Sequence, residues 1–146
     1  MTRGEPMSNP LWLWEQQYVI PSHPGAGGEV IRRVLAELER CNWPERDRFD
    51  VHLAMEEALV NAIKHGNLSD RAKSVYVACR LADALLQIEV RDEGPGFDPL
   101  ELPNPTDEDR LDLPNGRGVM LMRSFMSRVE YSPRGNCVWM EKCRRS

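Results

Sequence analysis

Glu57-Ala58-Leu59-Val60-Asn61 sets a carboxylate and a carboxamide four positions apart in a stretch with helical periodicity. That spacing puts both side chains on one helix face, about 6 Å apart along the axis. A carboxylate so placed can accept a hydroxyl proton during phosphoryl transfer. An amide oxygen is a hard ligand, suited to a Mg²⁺ ion that keeps most of its waters and is shared with substrate phosphates. Asn61 is therefore the candidate metal ligand and Glu57 the candidate base. Each alone would be an ordinary helix residue; their pairing is what matters.

A second segment, Asp92-Glu93-Gly94-Pro95-Gly96-Phe97, follows the apolar strand pattern of Leu86, Ile88 and Val90. The Asp92 carboxylate can accept a hydrogen bond from an exocyclic amine such as N6 of adenine. Gly94 and Gly96 allow the backbone to pass close to a base. A third segment, Gly116-Arg117-Gly118, opens another apolar helical run, where free N–H groups favour an anion. Lys64 and Arg117 are the bases best placed to offset phosphate charge, one a point charge and the other a fork. Any one segment is weak evidence. Together they describe a nucleotide site.

The elements that must position these residues are legible from periodicity. Residues 11–20 read as a first strand ending at Pro21, followed by a turn over 21–25. Ile31, Val34, Leu35, Leu38 and Cys41 mark a helix broken at 42–44. A second helix spans 45–65 and stops at Gly66-Asn67, with Val51, Ala54, Met55, Ala58, Leu59, Ala62 and Ile63 as its buried stripe. On a regular wheel, Glu57, Asn61 and Lys64 share the margin of that stripe. Residues 74–81 and 85–91 read as strands, a third helix starts at Gly116, and 127–131 with 137–143 form a closing hairpin.

Between them, residues 98–115 hold four prolines, six acids and one arginine, with neither period. A loop of this length is a lid candidate. The order β-α-α-β-β-loop-α-β-β predicts an α/β fold, a two-layer sandwich of one mixed, mainly antiparallel sheet with helices on one face. Residues 1–10 read as a flexible tail and 11–146 as a single domain.

Composition narrows the function further. The formal net charge of −4 disfavours a direct nucleic-acid binder. No apolar run reaches the roughly 20 residues of a membrane span. Cys41, Cys79, Cys137 and Cys143 form no metal-spaced pair, which reads as reduced thiols in a cytoplasmic protein.

At these residues the chain resembles the GHKL (histidine kinase-like) ATP-binding superfamily, whose fold is the Bergerat sandwich. Glu57-x-x-x-Asn61-Ala62, Asp92-x-Gly94-x-Gly96-Phe97 and Gly116-Arg117-Gly118 match its boxes in order. Within the superfamily it most resembles anti-sigma-factor serine/threonine kinases of the RsbW and SpoIIAB type. The resemblance implies ATP and Mg²⁺ as cofactors, Glu57 as general base, Asn61 as Mg²⁺ ligand and Asp92 as the adenine-recognising acid. Gly94, Gly96, Gly116 and Gly118 would be the box glycines around the nucleotide.

It also implies a STAS-type anti-anti-sigma protein as substrate and a sigma factor as client, and raises a homodimer as an assembly state. Histidine kinases typically carry Asn where Glu57 stands, because an imidazole needs no base; a serine hydroxyl does. Two other functions stay open at this point. One is a nucleotide-gated module that sequesters a client with little phosphoryl transfer, and the other is a detached histidine-kinase catalytic domain.

Overall fold

The computed structural model describes residues 11–95 and 116–145, without the side chains of residues 116–118. The expected tail, Gly96 and the lid segment 98–115 lie outside the described residues.

Five strands form one sheet in the order β1-β2-β3-β5-β4, where β1 is Trp14–Pro21, β2 Ser74–Leu81, β3 Leu85–Arg91, β4 Arg128–Tyr131 and β5 Cys137–Cys143. All four pairings are antiparallel. Strict alternation along β2 and β3 sends Val75, Val77, Cys79, Leu81, Leu86, Ile88 and Val90 to one face, where the helices cover them. The opposite face is polar, with Arg80, Gln87 and Glu141 linked in a ladder by hydrogen bonds of 2.6 Å each.

β1 starts later than the 11–20 pattern suggests and includes Pro21, paired with Ser74. Proline fits there because β1 is an edge strand, whose outward side needs no donor.

Helix α1, Gly28–Arg40, buries Val30, Ile31, Val34 and Leu38 and exposes Arg32 and Arg33. Its end has a specific cause. Asn42 takes a left-handed conformation with φ 61°, and the Trp43 N–H returns to the Leu38 carbonyl at 3.0 Å. This closes the helix and drives Trp43 into the core.

Helix α2, Glu45–Val60, packs between α1 and α3, Gly116–Phe125, over the sheet. Its first turns carry buried acids that the apolar pattern did not reveal. Asp47 is fully buried and bonded to Arg145 at 2.5 Å. Asp50 takes the Lys142 ammonium at 2.9 Å and Arg145 at 3.0 Å. Lys142 also donates to the Phe125 carbonyl at 2.6 Å, which ties β5 to the end of α3. Burial raises the Asp50 carboxyl, but the hydrogen bonds and charges of Lys142 and Arg145 outweigh it and hold it below its ordinary value.

Candidate functional site

The helix expected over 45–65 does not continue regularly. After Val60 the chain winds into a π-helical turn, Asn61–Gly66, with the Asn67 N–H reaching back five residues to the Ala62 carbonyl at 2.9 Å. Such turns are rare and favour functional sites. The wider winding changes which side chains share a face. Glu57 and Asn61 are partly buried at the cleft margin as expected, whereas Lys64 is exposed.

The Glu57 carboxylate has no hydrogen bond or ion pair with any described residue. It is therefore free to take a proton from an incoming group. The Asn61 carboxamide presents a different picture. Its Nδ2 is buried and has no hydrogen-bond partner among the described residues, although Asn61 is near enough to Tyr131 of β4 to pull that phenol down. Tyr131 also feels the charges of Arg123 on α3 and of Asp92. Burial pushes its phenol up to about 12, against the opposing pull of Asn61 and Arg123, so the hydroxyl is neutral. Neither Tyr131 nor Arg123 was singled out by sequence reasoning.

The end of the π turn abuts the strand that carries Asp92. A Cβ placed on Gly66 would stand 2.4 Å from Asp92 Cγ and Oδ2, and one placed on Gly94 would stand 1.9 Å from the Gly66 carbonyl oxygen. Only glycine fits at either position. Gly66 is thus a close-approach residue and not simply the end of a helix. Gly94 further donates its N–H to Asp92 Oδ1 at 2.8 Å, leaving Oδ2 without a partner among the described residues.

Burial raises the Asp92 carboxyl above its usual value, partly offset by the Gly94 N–H and the charge of Lys73. The Asp92 backbone is held by Asn136, whose carbonyl accepts its N–H at 2.9 Å and whose Nδ2 donates to its carbonyl at 3.3 Å.

Asn67, which the sequence suggested only as a cap, is the fastener of this corner. Fully buried, it donates to Ser22 Oγ at 2.8 Å and to the Ser74 carbonyl at 3.0 Å. Its Oδ1 accepts the Glu93 N–H at 2.7 Å. One side chain thus joins the π turn, the exit of β1, the start of β2 and the turn after Asp92. Ser22 completes the link by donating to the Lys73 carbonyl at 2.8 Å.

Helix α3 opens at Gly116, as the glycine segment predicts. Gly96 lies outside the described residues, as does the side chain of Arg117.

The donor set fits a nucleotide-borne Mg²⁺ ion. Asn61 offers one amide oxygen beside an unsatisfied Nδ2, and no group of three or more His, Cys, Asp or Glu is gathered to hold a metal among the described residues. Such a site would bind the cation mainly through nucleotide oxygens.

A helix carrying a carboxamide and a carboxylate without partners among the described residues, laid over an antiparallel sheet against a buried acid packed among glycines, defines a nucleotide-binding α/β sandwich. The histidine kinase-like ATPase domain model matches residues 20–142, and the chain belongs to that family. It is 30% identical over 97 residues to the serine/threonine-protein kinase BtrW of Bordetella bronchiseptica, covering 65% of this chain and 68% of that protein.

It is also similar to two proteins named anti-sigma F factor. The identity is 31% to that of Oceanobacillus iheyensis, covering 64% of this chain and 67% of the relative. It is 37% to that of Clostridium acetobutylicum, covering 56% and 57%. Among solved structures, the RsbU and RsbW domains of Rv1364c from Mycobacterium tuberculosis superpose with a TM-score of 0.62 at 17% identity. That match covers 90% of this chain and 32% of the other, and it shows a shared fold.

Proposed function

We propose that this chain is an ATP-dependent protein-serine/threonine kinase of the partner-switching type. It phosphorylates a STAS-type anti-anti-sigma protein and holds a sigma factor, or another client, according to the state of that antagonist. The observation that carries the reading is the Glu57 carboxylate, without a partner among the described residues, one helical turn before Asn61. The names of the relatives, a serine/threonine kinase and anti-sigma F factors, support the same reading. In this reading residues 11–146 are one kinase domain, with 98–115 as its lid and 1–10 as its tail.

Glu57 accepts the proton of the attacking serine hydroxyl, and with no ion pair to any described residue it stays available. Asn61 would hold the metal through its amide oxygen. Bound Mg²⁺ supplies charge neutralisation on the phosphate oxygens. Asp92 accepts the exocyclic amine of adenine through its open Oδ2, while Gly94 and Gly96 let the backbone pass the base. N–H groups at Gly116 and Gly118, with Lys64 and Arg117, offset phosphate charge. No helix among the described residues is long and apolar enough to cross a membrane, which is compatible with action in the cytoplasm.

The test is incubation with Mg-ATP and the STAS protein encoded nearest to the chain, followed by phosphosite mapping. Phosphoserine on the STAS protein is the expected result. Its absence from every candidate STAS protein, with ATP shown to be bound, would contradict the reading.

A further inference from the structure

Glu93 stands next to the buried Asp92, and its own carboxylate is exposed and takes no part in the proposed transfer. β2 and β3 pair as far as Tyr76 and Arg91, where β3 ends. Carried two residues further, that register sets Ser74 opposite Glu93. There the Glu93 side chain takes over the ladder. Its Oε2 accepts the Ser74 N–H at 3.1 Å and the Tyr76 hydroxyl at 2.9 Å. The bond to Glu93 raises the Tyr76 phenol, so the hydroxyl keeps the proton it donates. Arg91 in turn covers the Tyr76 ring, 4.3 Å from its centroid.

These bonds complete a ring. The Glu93 N–H donates to Asn67 Oδ1 at 2.7 Å, and Asn67 Nδ2 donates to the Ser74 carbonyl at 3.0 Å. The Ser74 N–H then returns to the Glu93 carboxylate. The peptide after Asp92 is therefore held at its nitrogen by this ring and at its oxygen by Asn136. With Oδ1 engaged by the Gly94 N–H, the backbone decides where Oδ2 points.

We infer that Glu93 is a positioning residue that closes this ring, aims Asp92 Oδ2 at the exocyclic amine of adenine and so sets base specificity. The inference rests on the reading of Asp92 as the adenine acceptor. Glu93 acts through Asp92 and not by contact with the base. Hypoxanthine is the discriminating base, because a carbonyl at position 6 replaces the amine. A carboxylate aimed at that position then meets a second acceptor with no proton between them, and the site rejects the base.

The experiment is calorimetric titration of ADP and of inosine diphosphate (IDP) into the wild-type chain, Glu93→Ala, Glu93→Gln and Asp92→Asn. Thermal melting sets a temperature at which all four are folded. In Glu93→Ala, IDP affinity is unchanged and ADP affinity falls about tenfold, the size expected for one hydrogen bond to a charged acceptor. Glu93→Gln removes the charge, but its amide oxygen still accepts both donors, so it keeps the wild-type preference for ADP. A preference retained in Glu93→Ala and lost in Asp92→Asn overturns the inference alone. Equal loss of ADP and IDP in Glu93→Ala also overturns it, because that is a merely structural role. So does a loss in Glu93→Gln as large as in Glu93→Ala, since charge and not the ring would then be at work. If Asp92→Asn keeps the full preference, the base-recognition reading falls and the inference falls with it.

Discussion

Gly66 lies flush against the Asp92 carboxyl group, so closely that any side chain at 66 would meet Asp92 Cγ and Oδ2 at 2.4 Å. Two motifs far apart in sequence, the end of the Glu57–Asn61 helix and the Asp92-x-Gly94 turn, are thereby one packed unit. Gly66→Ala must displace either the π turn or the acid. Overpacking of this kind costs about 1–3 kcal/mol, and it displaces the carboxylate proposed to receive the base. Thermal unfolding and ADP titration should both register the change, with ADP affinity reduced. Wild-type ADP affinity in a folded Gly66→Ala chain would show that Asp92 is not held by this contact.

Asp92→Asn is the complementary change, because it keeps the packing and alters only the hydrogen-bonding character. It should weaken ATP and ADP alike, by roughly tenfold or more, as expected for a bond to a charged group worth about 1.5–3 kcal/mol. Calorimetry with both nucleotides distinguishes this from Asn61→Ala, which should affect ATP more.

Much of this arrangement was legible in the sequence, and what was not has identifiable physical causes. The strand alternation from Val75 to Leu81 and the apolar stripe of α2 were readable because burial repeats with the period of the element. The π turn was not, since changing from four-residue to five-residue hydrogen bonds leaves Ala62 and Ile63 apolar and buried either way. Lys64, placed on the same margin as Glu57 by a regular wheel, is more exposed in the structure than Glu57 or Asn61. Asp47 and Asp50 sit in the first turns of α2, off the apolar pattern from which its buried stripe was read. Their partners Lys142 and Arg145 arrive from the other end of the chain, and no local pattern announces them. Tyr131, and the fastening role of Asn67 beyond that of a cap, escaped notice for the same reason.

Removing the Asn67 side chain tests the corner it fastens. Asn67→Ala leaves the Glu93 N–H and the Ser74 carbonyl without their partner. Unmet buried groups cost about 1–3 kcal/mol each. Amide exchange should accelerate at Glu93 and Gly94 before it does in the centre of β3. Unchanged protection at both amides would contradict the assigned role.

The buried network at the start of α2 should show in acid. The folded Asp50 carboxyl titrates below its unfolded value of 3.8, so its contribution to stability is fully present above that pH. It is lost as the pH falls through the lower, folded value. Urea unfolding between pH 6 and pH 3 should show an acid-sensitive decline that is shallower in Asp50→Asn. At neutral pH, Lys142→Met should cost about 3–5 kcal/mol, because it leaves the buried Asp50 with only Arg145 and the Phe125 carbonyl unpaired.

Glu57 is proposed as the base for transfer to a serine hydroxyl. The most direct measurement is single-turnover formation of phosphoserine on the STAS substrate by the wild-type chain and by Glu57→Gln, with ATP affinity measured in parallel. A positioned base contributes about 10²- to 10⁴-fold. The expected result is a loss of that size in rate with ATP affinity unchanged. Equal rates in the two chains, at equal ATP occupancy, would contradict the account.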